Sequence, residues 1–200
     1  MSRASKDHPG ADVAALILRG AIGPMMVVHG MNKVRGPGGL EGTTRYFESL
    51  GLQPAHVHAR VAAATEITTG TLVTLGAMTP LASAGIIGVM TSAAATDHKG
   101  KGFFIFKGGW EYVAVVGATA GALSALGPGR LSVDAARGKG RGGLARAVFS
   151  TALGVGAAAA MLGSSRKDSD TVPETASGTK TGDEAIDDGT VDGGERPASD

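Results

Sequence analysis

Apolar residues fall into five stretches, over 13–31, 61–78, 81–96, 112–126 and 144–162, separated by polar connections. A bilayer core of about 30 Å takes about 17–25 helical residues. The first, second and fifth stretches meet that length directly. The third and fourth meet it by borrowing flanking residues. All five are rich in Gly, Ala, Ser and Thr, the residue types that let membrane helices approach closely. The pattern predicts an all-α fold: a transmembrane four-helix bundle over 12–136, with helices at about 13–31, 61–78, 79–97 and 111–127. A fifth transmembrane helix is expected over 144–163. A polar segment, 1–11, precedes the bundle, and a disordered acidic C-terminal tail, 164–200, follows the fifth helix.

The connections differ in character. The one over 32–58 carries the turn signal Gly36-Pro37-Gly38-Gly39. Leu40, Tyr46, Phe47 and Leu50 then recur at roughly helical spacing, which predicts a short interfacial helix over 40–51. Met78-Thr79-Pro80 is short enough to make the second and third helices a hairpin. Gly127-Pro128-Gly129 opens a connection bearing Arg130, Arg137, Lys139 and Arg141, and the glycines of 138–143, alternating with Arg and Lys, read as a flexible basic loop able to meet anionic headgroups. From Ser164 onward the chain is almost free of apolar residues and cannot bury enough surface to fold.

Charge sharpens this division. The net charge of +1 hides ten acids and two bases in 168–200, against 17 bases and 8 acids in the rest of the chain. The polar tail also dilutes the mean hydropathy to +0.10. Cysteine is absent, which excludes disulfides, thiolate nucleophiles and iron–sulfur clusters. There is no phosphate-binding loop and no dinucleotide fingerprint, and a basic loop tied to a membrane is a poor nucleic-acid site.

Helices that cross a bilayer alternate in direction, so the connections after the first and third helices share one side. Seven of the eight aromatics fall there, all but Phe149. Phe103, Phe104, Trp110 and Tyr112 are the expected interfacial aromatics. His29, His56, His58 and His98 gather on the same side, with Lys33 and Glu111. The basic run 137–146, which lacks acidic neighbours, favours placing the N-terminus inside.

Two ionisable residues, Arg19 and Glu66, fall inside predicted helices, where such groups normally face the bundle and pair. An Arg19–Glu66 pair is the first expectation, although their Cα atoms would differ by roughly 7–10 Å in depth. Glu66 has Lys33 or His29 as alternative partners. Arg19, His29, Lys33, Glu66, His98 and Glu111 together are the candidate polar cavity. No catalytic residue, metal ligand set or cofactor motif stands out.

Several segments together carry a family resemblance. They are Leu18-Arg19-Gly20, His29-Gly30-Met31-Asn32-Lys33, Gly39-Leu40-Glu41-Gly42-Thr43, and Tyr46-Phe47-Glu48-Ser49-Leu50-Gly51-Leu52. Glu66, His98, Lys101-Gly102-Phe103-Phe104, Gly108-Gly109-Trp110-Glu111-Tyr112 and Gly127-Pro128-Gly129-Arg130-Leu131-Ser132-Val133-Asp134 complete the set. In their order and spacing they resemble the DoxX family of small bacterial integral membrane proteins, over about 12–136. The Met78-Thr79-Pro80-Leu81 turn departs from the pattern, with Pro where an Arg is expected. The resemblance implies a four-helix bundle in the plasma membrane and a link to redox processes. Relatives include a subunit of a thiosulfate:quinone oxidoreductase. The expected role is an accessory or scaffold subunit of a membrane-associated redox or detoxification system, rather than a stand-alone enzyme. The lipid bilayer and redox enzymes are the expected partners, and an oligomer is compatible with this. A quinone-interacting oxidoreductase subunit and a small-solute or proton transporter are the alternatives.

Overall fold

The computed structural model describes residues 9–170, whose regular structure is all helical, with no strand among them. The elements are α1 (Pro9–Arg35), α2 (Gly39–Ser49), α3 (Ala55–Leu75), α4 (Thr79–Ala95), a 3-10 turn (Ile105–Lys107), α5 (Glu111–Leu126), α6 (Val133–Ala136) and α7 (Leu144–Asp170). The acidic-tail expectation falls mostly on 171–200, outside the described residues. Its first seven residues, 164–170, are instead the last two turns of α7.

α1 packs on α3, α3 on α4, α4 on α5, and α5 back on α1, while α7 lies against α4 and α5. The shared core is Ala15, Ile22 and Met26 of α1, Val73 of α3, Ala82, Ile86, Ile87 and Met90 of α4, and Val113, Val116, Ala120 and Leu123 of α5. Glycine sets how near the axes come. A Cβ on Gly70 would lie 2.6 Å from the Gly23 carbonyl oxygen, and one on Gly154 would lie 2.5 Å from that of Ala84. So α1 crosses α3, and α7 crosses α4, backbone to backbone, as small-residue membrane interfaces do. Thr69, Thr71 and Thr74 donate their hydroxyls to the carbonyls four residues back, so these polar side chains need no partner from outside α3.

α1 and α7 are long and apolar enough to cross a membrane, and α4 and α5 are shorter apolar helices. α7 runs the length of the assembly. Near its start, Ser150 Oγ donates to the Pro80 carbonyl at 2.8 Å and shares a hydrogen bond with Ser124 at 2.7 Å. Near its other end, Ser165 Oγ meets His58 Nε2 at 2.6 Å.

The connection over 127–143 is tied down at three points, all ahead of the 138–143 stretch expected to be a flexible basic loop. Arg130 donates to Asp12 through both its backbone N–H and its Nε. Ser132 caps α6 by accepting from the Ala135 N–H. Asp134 caps α4 from a distance: its carboxylate accepts from the Met78 N–H (2.9 Å), the Thr79 N–H (2.9 Å) and the Thr79 hydroxyl (2.8 Å). Burial pushes the Asp134 carboxyl up, but these donors and the nearby Arg146 charge outweigh it and hold it below the usual carboxylate range. A depressed carboxyl contributes stability that is complete above the unfolded value, near 4, and is lost as the pH falls through and below it. Asp134→Asn is therefore expected to cost about 1–2 kcal/mol at neutral pH and to flatten the acid limb of stability. Unfolding midpoints of both proteins between neutral pH and pH ~3 check this. Parallel acid limbs would show that Asp134 is not the group responsible.

Candidate functional site

The residues picked out from sequence separate into three places. Arg19 lies at the end of the assembly where α3 finishes and α4 begins. It is buried, 5 % exposed, and all its partners are backbone carbonyls. Its Nε donates to Val73 (3.1 Å), one terminal nitrogen to Pro128 (2.9 Å) and Leu131 (2.7 Å), and the other to Thr74 (2.8 Å). Val73 and Thr74 are in the last turn of α3, where carbonyls run short of helical donors; Val73 also accepts from the Gly76 N–H at 3.0 Å. Gly76 follows with φ 62°, and a Cβ there would lie 2.8 Å from the centre of the guanidinium. The position requires glycine both for the left-handed turn and for this contact. The expected Arg19–Glu66 pair is thus corrected: Arg19 staples α3 to the 127–132 segment.

Glu66 pairs with Lys33 instead. Lys33 Nζ donates to both carboxylate oxygens of Glu66 at 2.8 Å. The Glu66 side chain is almost wholly enclosed, and that of Lys33 is 23 % exposed. The Gly23–Gly70 and Gly30–Ala63 approaches between α1 and α3 fix the register that brings the two together. An ammonium carries three donors. Two go to Glu66, so Lys33 has one N–H left.

The other candidates organise the neighbouring surface. His29 Nε2 and the Tyr112 hydroxyl are hydrogen-bonded at 3.1 Å. His98 Nδ1 meets the Gly108 carbonyl at 2.7 Å, and Glu111 accepts from the Ile105 N–H at 3.1 Å. His98 and Glu111 therefore shape the 97–110 connection. There Phe103 packs edge-on against Phe104 and Trp110, at centroid distances of 5.5 and 5.0 Å. Tyr112 lies apart from this group, on α5 beside His29.

Lys33 and Glu66 form part of the wall of a pocket of about 770 Å³ between α2, α3, α4 and α7. Its walls are mainly apolar, with Leu50, Val61, Val89, Leu153 and Met161 among the lining residues, and Thr65 and Ser92 join the ion pair as polar lining. The volume lies within the range of small-molecule sites, about 300–1,000 Å³. α2 buries none of its own residues. It is held by the Thr43 hydroxyl, which donates to the Lys33 carbonyl at 2.8 Å, and its Tyr46 phenol faces the Asp97 carboxylate. Loss of solvent around the phenol, together with the Asp97 carboxylate, pushes Tyr46 up to about 12. Burial pushes Asp97 up, but the neighbouring Tyr46 phenol and Lys101 ammonium prevail and hold it below its ordinary value.

Sequence reasoning missed His58 as a wall residue, and missed α7 as a wall altogether. It placed Tyr46 on this side, among the aromatics, without pairing it with Asp97. The Ser132-Val133-Asp134 run entered only as part of the family resemblance, and its capping of α6 and of α4 was missed. Among the described residues, no group of three or more His, Cys, Asp or Glu side chains is placed to hold a metal ion.

Residues 14–99, from α1 to just past α4, match the DoxX family model. The resemblance over 100–136 lies beyond the matched segment. No curated protein and no solved structure matches the chain. The matched segment contributes Lys33, Glu66 and every part of the pocket except the α7 wall. The chain thus carries a DoxX domain over 14–99, which together with the two apolar helices α1 and α7 marks it as a DoxX-like membrane protein.

Proposed function

We propose that the protein is a multi-pass plasma-membrane bundle of four helices plus α7, and that it serves as an accessory subunit of a membrane-associated redox or detoxification system. In that role it holds a lipid-soluble small molecule in the α2–α3–α4–α7 pocket. The observation that carries this reading is the Lys33–Glu66 pair on the wall of a largely apolar pocket. Apolar walls take up a ligand's hydrocarbon part, and a few placed polar groups orient its head. The remaining Lys33 N–H is a donor for a carbonyl or other acceptor on that head. A quinone has this chemistry, which favours a quinone-interacting subunit as the second reading. Stand-alone catalysis forms no part of the proposal.

The test is photolabelling of the purified full chain in neutral detergent with an azidoquinone, with an unlabelled short-tailed quinone as competitor. Saturable labelling of peptides from α3 or α4 is expected, and Val89→Trp, which fills the pocket, should remove it. Labelling that is unsaturable, or unchanged in Val89→Trp, overturns the pocket assignment. The accessory role predicts that capture of the tagged protein from native membranes co-purifies a redox enzyme activity. Capture without such activity removes that role.

A further inference from the structure

A second notch lies at the opposite end of the assembly, where α6, the start of α7 and the α3–α4 hairpin meet. It encloses about 500 Å³ and is lined by Arg137, Lys139 and Arg146, together with Asp134, Leu81 and Phe149. Three cations therefore share one small concavity. Asp134 shares the notch and its charge offsets part of that of Arg146, but its oxygens are held by Met78 and Thr79, so the balance of the notch is two positive charges. Among the described residues, no carboxylate forms an ion pair with Arg137, Lys139 or Arg146. Arg146 is steadied by a hydrogen bond to the Lys139 carbonyl at 3.3 Å. α7 begins beside the notch, with Ala145 of its first turn among the lining residues, so the positive end of its dipole adds to the field there. α7 then leads away, reaching His58 at the far end.

Beside the cations the surface is apolar and unpaired. Leu144 is 78 % exposed, and Phe149, Val148, Leu81 and Met78 are exposed as well. A free inorganic anion would use only the charged half of this surface. A molecule with an anionic head and hydrocarbon chains would use both halves.

We infer that this notch binds an anionic phospholipid, with its headgroup phosphate among Arg137, Lys139 and Arg146 and its acyl chains along Leu81 and Phe149. Basic pockets between membrane helices recognise lipids by this combination. Leu81 lines both this notch and the Lys33–Glu66 pocket, but the three cations line the notch alone.

Native mass spectrometry of the full chain, titrated with dioctanoyl phosphatidylglycerol or dioctanoyl phosphatidylcholine in neutral detergent, tests the inference. The anionic lipid is expected to bind about tenfold tighter or more. Each cation removed should cost about fivefold in affinity, so Arg137→Gln/Lys139→Gln should lose about 25-fold and Lys139→Gln alone about fivefold. Both side chains are exposed, and unchanged unfolding midpoints without lipid confirm that the variants fold. Lys99→Gln/Lys107→Gln, at the other end of the assembly, should bind as the wild type does. The inference is overturned if the two lipids bind equally, if the notch variants keep wild-type affinity, if the distant double variant loses as much, or if glycerol phosphate binds as tightly as the lipid.

Discussion

Replacing Arg19 with Met should cost the folded protein about 3–5 kcal/mol, the scale of removing one member of a buried charged network. The side chain makes four hydrogen bonds, to Val73, Thr74, Pro128 and Leu131. Methionine fills similar space, but takes the donor from the Thr74, Pro128 and Leu131 carbonyls, while Val73 keeps the Gly76 N–H. Each unmet polar group of this kind costs about 1–3 kcal/mol. The loss is not confined to α1, because the guanidinium joins three segments far apart in sequence. Arg19→Lys should recover only part of the stability, since an ammonium is a compact charge and lacks the planar fork that reaches four oxygens. Unfolding in mixed micelles should rank the proteins wild type, Arg19→Lys, Arg19→Met. An Arg19→Lys protein equal to the wild type would show that charge alone matters. A loss below about 1 kcal/mol in Arg19→Met would show that the carbonyls find other donors.

Lys33→Met should be nearly as damaging, for a different reason. It leaves the Glu66 carboxylate, 3 % exposed, without its partner, and breaking a buried pair from one side costs about 3–5 kcal/mol. The double variant Lys33→Met/Glu66→Gln removes the uncompensated charge and should return most of that loss. This gives a coupling energy well above the few tenths of a kcal/mol by which independent sites deviate from additivity. A strictly additive cycle would contradict the pairing. The double variant also separates the two roles of the pair. If it folds well yet loses azidoquinone labelling, the pair orients the pocket's ligand. If it folds well and labels normally, the pair only holds α1 against α3.

The helices were legible from sequence because helix formation in an apolar medium follows from length and hydropathy. α2 was legible from its Gly-Pro-Gly-Gly turn and amphipathic spacing. The extent of α7 was not, because Ser164 and the residues after it are polar in composition, yet the helix continues through them. For the ionisable residues, the outcome turned on what their partners are. Arg19 is bound by backbone carbonyls, a group every residue carries, so no residue type announced the contact. The nearest acid in a predicted helix, Glu66, seemed to be its partner only because acids are visible in a sequence and carbonyl geometry is not.

By itself the sequence determined an all-helical chain, the end at which the histidines and most aromatics gather, and the charges that had to be satisfied between helices. These follow from hydropathy, direction alternation and the cost of unpaired charge, all properties of composition and order. The tertiary structure decided who satisfies whom. The Gly23–Gly70 contact sets the register of α1 on α3 and so joins Lys33 to Glu66. The Gly154–Ala84 contact brings α7 against α4 and closes the pocket wall. Such choices depend on sub-ångström fit between backbones, and residue order constrains that fit without specifying it.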